Sequence, residues 1–240
     1  MRSFAALHRA GNPLLLPNVW DVAGARALAE AGFVAVGTTS LGVAASHGLP
    51  DGEGAAVGET LRLVSRLAAL PVHVTADLER GSVEAAVAAA AAGAAGVNIE
   101  DGLGDAAAHA RLVRDVKREV PELFVNARTD THWLRRGDPD EALRRCRLYR
   151  DAGADGVFVP GMTAPREIAV VVEALEVPVN VLYSPDGPGV GELAALGVAR
   201  VSLGSLLFRA ALAAAVATAT AVRRDEGVPG GLPSYQDVNG

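Results

Sequence analysis

Residues 70–101 read LPVHVTADLERGSVEAAVAAAAAGAAGVNIED. This stretch holds two short apolar runs that each end in acidic residues, and an alanine-rich segment separates them. Strands buried on both faces of a parallel sheet are apolar along their length, and a crossover helix connects one to the next. The stretch therefore predicts strand, helix and parallel strand, with Asp77, Glu79, Glu100 and Asp101 at the carboxyl ends of the two strands.

The same unit repeats along the chain with two kinds of punctuation. Four strand-like runs follow a proline, at Pro13, Pro71, Pro121 and Pro178. Four others follow a glycine that ends a helical stretch, at Gly32, Gly93, Gly153 and Gly197. Proline is tolerated at the start of a strand, and glycine suits the left-handed C-cap of a helix. Eight strands alternating with helices predict a (β/α)8 TIM barrel, with residues 1–240 as a single domain.

An open, doubly wound α/β sheet is the alternative fold. Such a sheet usually carries a glycine-rich phosphate-binding fingerprint, and no GxGxxG motif follows a strand-like run in this sequence. In a barrel, the active site lies at the carboxyl ends of the strands, where the acidic residues are expected. Asp138 and Pro139 predict the start of one of the helices, as N-cap and first-turn proline.

Composition narrows the class of protein. A net charge of −6 and a pI near 5.4 argue against nucleic-acid binding. The lone Cys146 forms no intrachain disulfide, and no basic-then-apolar signal pattern opens the chain. The most apolar stretch, residues 205–222, is mostly alanine and is interrupted by Arg209, so no membrane span is expected. We expect a cytoplasmic protein.

Lysine is nearly absent, since Lys117 is the only one and lies in a polar amphipathic helix. Imine chemistry needs a lysine buried in the active site, so a Schiff-base mechanism is excluded. The scattered histidines lack the spacing of zinc ligands, so a zinc site is not expected. His132, just beyond Arg128, remains within possible reach of the site.

The strand-end acids point to a hard divalent cation. Asp77 and Glu79 are two residues apart, so on an extended backbone their side chains share one face. Glu100 approaches from the next strand, and three converging carboxylates repel one another unless a cation lies between them. Mg²⁺ prefers oxygen ligands and often takes only one or two carboxylates directly. The alternative is that these acids pair with Arg80 and Arg128.

Two further groups are candidates for substrate contacts. Arg128 follows an apolar strand, and a guanidinium at the barrel mouth suits a carboxylate or phosphate. The loop of residues 37–53 offers small side chains and backbone amides that suit an oxyanion. Asp51 in this loop is either a base or a turn residue.

Together these residues resemble the isocitrate lyase and phosphoenolpyruvate mutase superfamily over nearly the whole chain. The similar motifs are PNVWD at 17–21, TSLG at 39–42, GLPDGE at 48–53, DLERG at 77–81, VNIED at 97–101 and NARTD at 126–130. The combination is specific, although no single motif is. The resemblance implies an enzyme that makes or breaks a C–C or P–C bond beside the carbonyl of an α-keto acid, through an enolate.

The resemblance also implies roles for individual residues. Asp77 would bind Mg²⁺ directly, with Mn²⁺ as a possible substitute, and Glu79 and Glu100 would bind it through water, as would Asp51. Thr39, Ser40 and Leu41 would hold the substrate carboxylate or enolate oxygen, opposite Arg128. Trp20 would wall the pocket and Asn180 would add a polar contact. The expected catalytic residues are Asp51, Glu100 and Arg128, and the metal set is Asp77, Glu79 and Glu100.

The sequence departs from the superfamily in the loop after Glu100 and Asp101. Isocitrate and methylisocitrate lyases carry Lys-x-Cys-Gly-His there, and phosphonate mutases carry lysine and asparagine, whereas this chain has GLGDA at 102–106. The favoured function is Mg²⁺-dependent C–C cleavage or decarboxylation of a small keto or hydroxy (di)carboxylic acid. Alternatives are C–P mutase or hydrolase chemistry and a non-catalytic barrel that binds a keto acid.

Three expectations remain. The general acid is one of Asp51, His132 and Tyr183. The alanine-rich helix of residues 206–222 is expected to pack on another subunit, because superfamily members exchange such a helix in homodimers or homotetramers. Residues 226–240 contain proline and glycine, which predicts a flexible tail or a lid.

Overall fold

The computed structural model describes residues 3–136 and 138–239 of the chain. The strands are β1 (Leu14–Leu16), β2 (Asn18–Val19), β3 (Ala35–Thr38), β4 (His73–Asp77), β5 (Gly96–Glu100), β6 (Phe124–Arg128), β7 (Gly156–Phe158), β8 (Val179–Leu182) and β9 (Arg200–Ser202). The helices are α1 (Val22–Glu30), α2 (Ser40–Ser46), α3 (Val57–Leu67), α4 (Val83–Ala91), α5 (Ala106–Glu119), α6 (Pro139–Asp151), α7 (Pro165–Glu173), α8 (Val190–Ala195), α9 (Leu206–Arg223) and α10 (Tyr235–Asn239). A 3-10 turn, Ala5–Leu7, precedes β1.

The strands form one parallel sheet that curves into a TIM barrel, as the alternating pattern predicts. Neighbouring strands follow chain order from β2 to β9, and β9 pairs in turn with β1. β1 and β2 are two parts of the first predicted strand, separated by Pro17, which has no N–H to donate. The Pro17 carbonyl still accepts from the Gly37 amide at 2.9 Å, so the first strand joins both sides of the barrel.

The predicted helix boundaries are also confirmed. The Asp138 side chain accepts a hydrogen bond from the Glu141 amide, and Pro139 is the first residue of α6. The four glycines predicted to end helices all have positive φ, at Gly32, Gly93, Gly153 and Gly197. These caps orient the helices outside the barrel, and their apolar faces pack against the buried strands.

The interior of the barrel is unusually polar near its middle. The Asn126 amide donates to Asn98 Oδ1 at 2.9 Å, and Arg200 donates to the same oxygen at 3.3 Å. Arg200 is completely buried and also donates to Ser202 Oγ at 3.1 Å. Burial lowers the pKa of Arg200 to about 9, partly offset by the charge of Asp77. This layer separates an apolar lower end from the charged upper end.

Helix α9 contrasts with the other long helices. Phe208 is its one buried residue, and its exposed apolar side chains include Leu212, Val216 and Val222. By length and composition alone, α9 is long and apolar enough to cross a membrane. This is weak evidence for a membrane span, because core helices of soluble proteins and signal sequences meet the same criterion. Beyond it, residues 226–238 are exposed and include most of α10, and the flexibility expected of this segment stays a prediction.

Candidate active site

A cavity of about 380 Å³ opens at the carboxyl ends of the strands. Every strand from β2 to β9 supplies a wall residue, and all but that of β2 lie at the end of the strand or just beyond it. These residues are Asn18, Thr39, Asp77, Glu100, Arg128, Phe158, Leu182 and Ser202. The position agrees with the general location of active sites in TIM barrels.

Asp77 is the last residue of β4, and the end of β3 holds it in place. Its backbone amide donates to Thr38 Oγ1 at 2.8 Å, and its carboxylate accepts from the Ser40 amide at 3.4 Å. Within residues 3–136 and 138–239, no arginine or lysine forms an ion pair with it. A carboxylate positioned in this way at a cavity wall remains available to a bound cation.

Glu79 lies differently from the sequence expectation. β4 ends at Asp77, and Glu79 has a φ of +55°, so the extended geometry assumed for the Asp77–Glu79 pair does not exist. Its carboxylate instead accepts from the Gly54 amide at 2.6 Å, behind the cavity wall. Burial raises the pKa of Glu79, and the charges of Asp51 and Asp77 add to that rise.

Glu100 and Arg128 form a buried ion pair between neighbouring strands. Arg128 Nη1 lies 2.9 Å from Glu100 Oε2, and Arg128 Nε donates to Asp130 Oδ1 at 2.6 Å. Burial raises the pKa of Glu100 to about 8, although the charge of Arg128 opposes that rise. Burial likewise outweighs Arg128 in raising the pKa of Asp130. One guanidinium therefore shares its charge between two carboxylates.

Asp101 supports this pair from outside the cavity. Its Oδ1 accepts from the Asp130 amide at 3.1 Å, while its Oδ2 accepts from Tyr149 Oη at 2.6 Å and from Arg145 Nη1 at 2.9 Å. Burial favours the neutral acid, but these hydrogen bonds prevail and lower the pKa of Asp101. A fully bonded carboxylate thus anchors the segment that carries Asp130.

The structure brings most of the predicted site residues to one cavity. Those that line it are Thr39, Ser40, Leu41, Asp51, Asp77, Glu100 and Arg128. Two other predicted residues lie outside the described wall of this cavity. Trp20 packs edge-to-face on Phe208, with ring centroids 5.1 Å apart, outside the described cavity wall. Asn180 is buried and donates to Ser202 Oγ at 3.0 Å, so it lies behind a wall residue.

The three candidates for the general acid differ in whether they line the cavity. Asp51 lines the cavity, from the exposed loop between α2 and α3. His132 Nε2 lies 3.2 Å from Glu167 Oε2, and its Nδ1 lies 3.2 Å from Thr131 Oγ1. Tyr183 packs against the core between β-strands and helices. Among the described wall residues, Asp51 alone of the three is present.

Other wall residues were missed in the sequence analysis. Arg80, Asp130, Trp133 and Phe158 line the cavity, and the Arg128 guanidinium lies 5.8 Å from the ring centroids of both aromatic residues. Asp130 had a detectable signal, because it follows Arg128 by two residues beyond a strand end. Trp133 lies in a loop of irregular conformation and had no such signal.

The donor set fits a hard divalent cation with few direct protein ligands. Four acids line the cavity, namely Asp51, Asp77, Glu100 and Asp130, against the two cations Arg80 and Arg128. No group of three or more potential ligands lies at ligating distance in the part of the chain that the structure describes. Carboxylate ligands of this kind suit Mg²⁺, which keeps several waters and often binds one or two carboxylates.

The barrel and its acidic, arginine-containing mouth agree with what the comparisons with known proteins show. The phosphoenolpyruvate phosphomutase family model matches residues 4–223, and the chain belongs to this family of mutases and lyases that act on keto acids. An uncharacterized protein of Mycobacterium tuberculosis H37Rv is 44% identical over 240 residues, covering 96% of this chain and 93% of the relative.

Two phosphoenolpyruvate phosphomutases are also similar to this chain. A phosphoenolpyruvate phosphomutase of Streptomyces hygroscopicus is 31% identical over 253 residues, covering 93% of this chain and 80% of the relative. The crystal structure of a phosphoenolpyruvate phosphomutase from Streptomyces platensis subsp. rosaceus superposes with a TM-score of 0.82 at 26% identity, covering 92% and 88% of the two chains.

Proposed function

We propose that this protein is a Mg²⁺-dependent lyase or decarboxylase that acts on a small α-keto or 2-hydroxy (di)carboxylic acid through an enolate. The observation that carries the proposal is one cavity wall that joins the unpaired carboxylate of Asp77 to the Glu100–Arg128 ion pair. Cleavage beside a carbonyl leaves negative charge on oxygen, and preorganised cations at that position lower the barrier.

The proposed metal ligand is Asp77, whose carboxylate has no ion pair among the residues described. Glu100 would act through water, and the position of Glu79 behind the wall makes it an indirect partner. The bound Mg²⁺, or Mn²⁺ in its place, would act as a Lewis acid on the keto oxygen. Four carboxyl groups and two arginines line the wall, and a divalent cation there would offset the repulsion among the ionised carboxylates.

The chain itself would bind and orient the substrate. Thr39, Ser40 and Leu41 line the cavity at the start of α2 and would hold an anionic oxygen of the substrate. Arg128 would face the same group from β6, with its guanidinium fixed by Glu100 and Asp130. Asp51 is the residue that we propose for proton transfer, since it lines the cavity from an exposed loop.

C–P bond chemistry and keto-acid binding without catalysis are the two alternatives to the proposed C–C bond chemistry. C–P bond chemistry is favoured by the family model and by the 31% identical phosphomutase. C–C bond chemistry is favoured by a 31% identical oxaloacetate decarboxylase of Bradyrhizobium, whose match covers 70% of this chain. A non-catalytic keto-acid-binding barrel is the third candidate, because residues 102–106 offer no cysteine, lysine or histidine for acid–base work.

We also propose that the protein is a cytoplasmic homodimer or homotetramer. Leu212, Val216 and Val222 expose apolar surface on α9, and such a surface is usually covered by a partner. A second copy would bury it without a membrane. Light scattering of the purified protein tests this, and a monomer at micromolar concentration would contradict it.

Calorimetric titration with oxalate, an enolate mimic, tests the proposed function. Binding is expected with Mg²⁺ and not without it, and Asp77→Asn should abolish the Mg²⁺-dependent part. Asp115→Asn is the matched control, because Asp115 lies on α5 and pairs with Arg118 away from the cavity. No oxalate binding to the wild type under either condition would refute the proposal.

Turnover distinguishes the competing chemistries. Oxaloacetate tests decarboxylation, and phosphonopyruvate tests C–P cleavage by release of phosphate. Mg²⁺-dependent oxalate binding without turnover across a panel of keto and hydroxy acids would favour the binding barrel instead.

A further inference from the structure

Arg80 is a cation at the cavity wall that the proposed chemistry does not use. It lies in the loop between β4 and α4, three residues beyond Asp77, and its side chain is exposed. The sequence analysis offered pairing with the strand-end acids as one role for it. Among the residues that the structure describes, however, Arg80 forms no ion pair and no hydrogen bond, whereas Arg128 is bound to two carboxylates.

The backbone of the next loop gives the Arg80 guanidinium its place. Gly102 follows β5 with a φ of +50°, and a Cβ built there would lie 2.8 Å from Arg80 Nη2 and 2.9 Å from Arg80 Cζ. The guanidinium therefore rests directly against the Cα of Gly102. A larger residue at this position would displace it, so the glycine both allows the turn and admits the arginine.

The two arginines reach the cavity from different strands. Arg128 ends β6 and Arg80 follows β4, with β5 and Glu100 between them. The charge of Arg128 is already shared between Glu100 and Asp130, while Arg80 forms no ion pair with any described residue. A guanidinium binds carboxylate or phosphonate oxygens through paired N–H donors, and such charge-assisted bonds are the strong ones.

We propose that Arg80 binds a second anionic group of the substrate, so that the substrate is a dianionic keto or hydroxy acid with a distal carboxylate or phosphonate. The inference rests on the proposed function, in which Mg²⁺ at Asp77 would bind the keto oxygen and Arg128 would face the first anionic group. Arg80 is then a specificity residue that selects dianionic over monoanionic acids and takes no part in the bond cleavage itself.

Paired ligands that differ only in the distal group test this assignment. Malate and 2-hydroxybutyrate carry a carboxylate and a methyl group at the same position, and 2-hydroxy-3-phosphonopropionate carries a phosphonate. Their affinities, and that of oxalate, are measured by direct calorimetric titration in the presence of Mg²⁺. Oxalate has no distal group, so its own affinity reports on the proposed function and not on Arg80.

In the wild type we expect at least one distal anion to be preferred over 2-hydroxybutyrate by about tenfold, as for a charge-assisted hydrogen bond. Arg80→Gln should abolish that preference and leave oxalate and 2-hydroxybutyrate affinities within about twofold. Arg80→Lys should keep part of it, because the charge remains but the paired donors are lost. Arg114→Gln, an exposed arginine on α5, is the control and should change nothing.

The outcomes separate the two proposals. Oxalate binding without any preference for a distal anion, or an equal loss of all ligands in Arg80→Gln, overturns the role of Arg80 and leaves the proposed function intact. A preference that depends on Arg80 without Mg²⁺-dependent oxalate binding supports the anion site and refutes the enolate chemistry. Whether malate or the phosphonate is preferred identifies the distal group.

Discussion

The mouth of this barrel, at the carboxyl ends of the strands, and its floor, at their amino ends, carry opposite kinds of side chain. At the mouth, four acids and two arginines line an open cavity, and burial keeps the pKa of Glu100 at about 8. At the floor, Phe4 fills the opening between the strand starts, packing edge-to-face on Phe124 with ring centroids 5.5 Å apart. Repulsion among neighbouring carboxylates is relieved when a cation binds, so the mouth suits ligand binding. The packed aromatic rings of the floor stabilise the fold instead.

At the floor, the aromatic rings lie in close contact with the backbone of the strands. Gly96 begins β5, and a Cβ there would lie 2.9 Å from Phe4 Cε1 and 2.9 Å from the Phe124 carbonyl oxygen. His8 stacks on Phe124 with a centroid distance of 4.3 Å, and its Nδ1 lies 3.0 Å from the Phe4 carbonyl oxygen. The residues before β1 therefore act as a plug for the amino ends of the strands.

Removing the plug should have the largest effect on stability. Phe4→Ala deletes a buried aromatic ring, and such changes lower the free energy of unfolding by about 3–5 kcal/mol. Urea unfolding without Mg²⁺ measures it. The matched change at the mouth, Asp77→Asn, removes repulsion towards Glu100 together with the charge that favours the buried Arg200 cation, so its net cost should be about 1 kcal/mol.

Oxalate binding completes this comparison. Phe4→Ala should leave the Mg²⁺-dependent affinity of the folded protein unchanged, whereas Asp77→Asn should remove it. If Phe4→Ala weakens oxalate binding as strongly as it weakens folding, then mouth and floor are coupled and the division between them is wrong.

A smaller effect should appear as the pH dependence of folding. Burial and, to a smaller extent, the charge of Arg200 lower the pKa of His8 to about 3, whereas an unfolded histidine titrates near 6.5. The unfolded chain then binds a proton that the native floor refuses. Stability should therefore fall as the pH drops below 6.5, by about 2 kcal/mol at pH 5 for this residue.

His8→Phe isolates that contribution. The variant should lose about 2 kcal/mol less stability than the wild type between pH 7 and pH 5, measured by urea unfolding without Mg²⁺. His109, whose pKa burial lowers to about 4, and Glu100 titrate in both proteins and cancel in the difference. Identical pH profiles for the two proteins would show that the native floor admits the proton.

The strands and helix caps could be predicted from the sequence more completely than the loops of the mouth. Apolar runs, prolines and glycines report local backbone preferences, so the strands, the helix caps and the barrel were readable from single segments. The split of the first strand at Pro17 was not, because it depends on pairing β1 with β9 and β2 with β3. Strand pairing joins residues far apart in sequence, and local patterns do not specify it.

The mouth was predictable where residues end strands and unpredictable where loops carry them. Asp77, Glu100 and Arg128 end strands, so the barrel itself brings them together. Glu79 follows a strand end, and its positive φ turns it away from the expected face. Arg80 lies in a loop as well, and its guanidinium rests against Gly102 of another loop. Loop-to-loop contacts of this kind leave no periodic signal.

The smallest expected effect concerns Trp133, a mouth residue with the aromatic character of the floor. Its side chain is about half exposed, and the Arg128 guanidinium lies 5.8 Å from its ring centroid. A cation–π contact at an exposed site contributes about 0.5–1 kcal/mol, so Trp133→Ala should weaken Mg²⁺-dependent oxalate binding by about two- to fivefold. Its free energy of unfolding should stay within about 0.5 kcal/mol of the wild type.

Val170→Ala is the matched control, because Val170 is equally exposed but lies on α7 away from the cavity wall. A loss of stability in Trp133→Ala, with oxalate affinity unchanged, would mean that this aromatic residue closes the fold, as Phe4 does below. The contrast would then follow the kind of side chain more than the end of the barrel. A loss of affinity alone assigns Trp133 to ligand binding, because it steadies the guanidinium that faces the substrate.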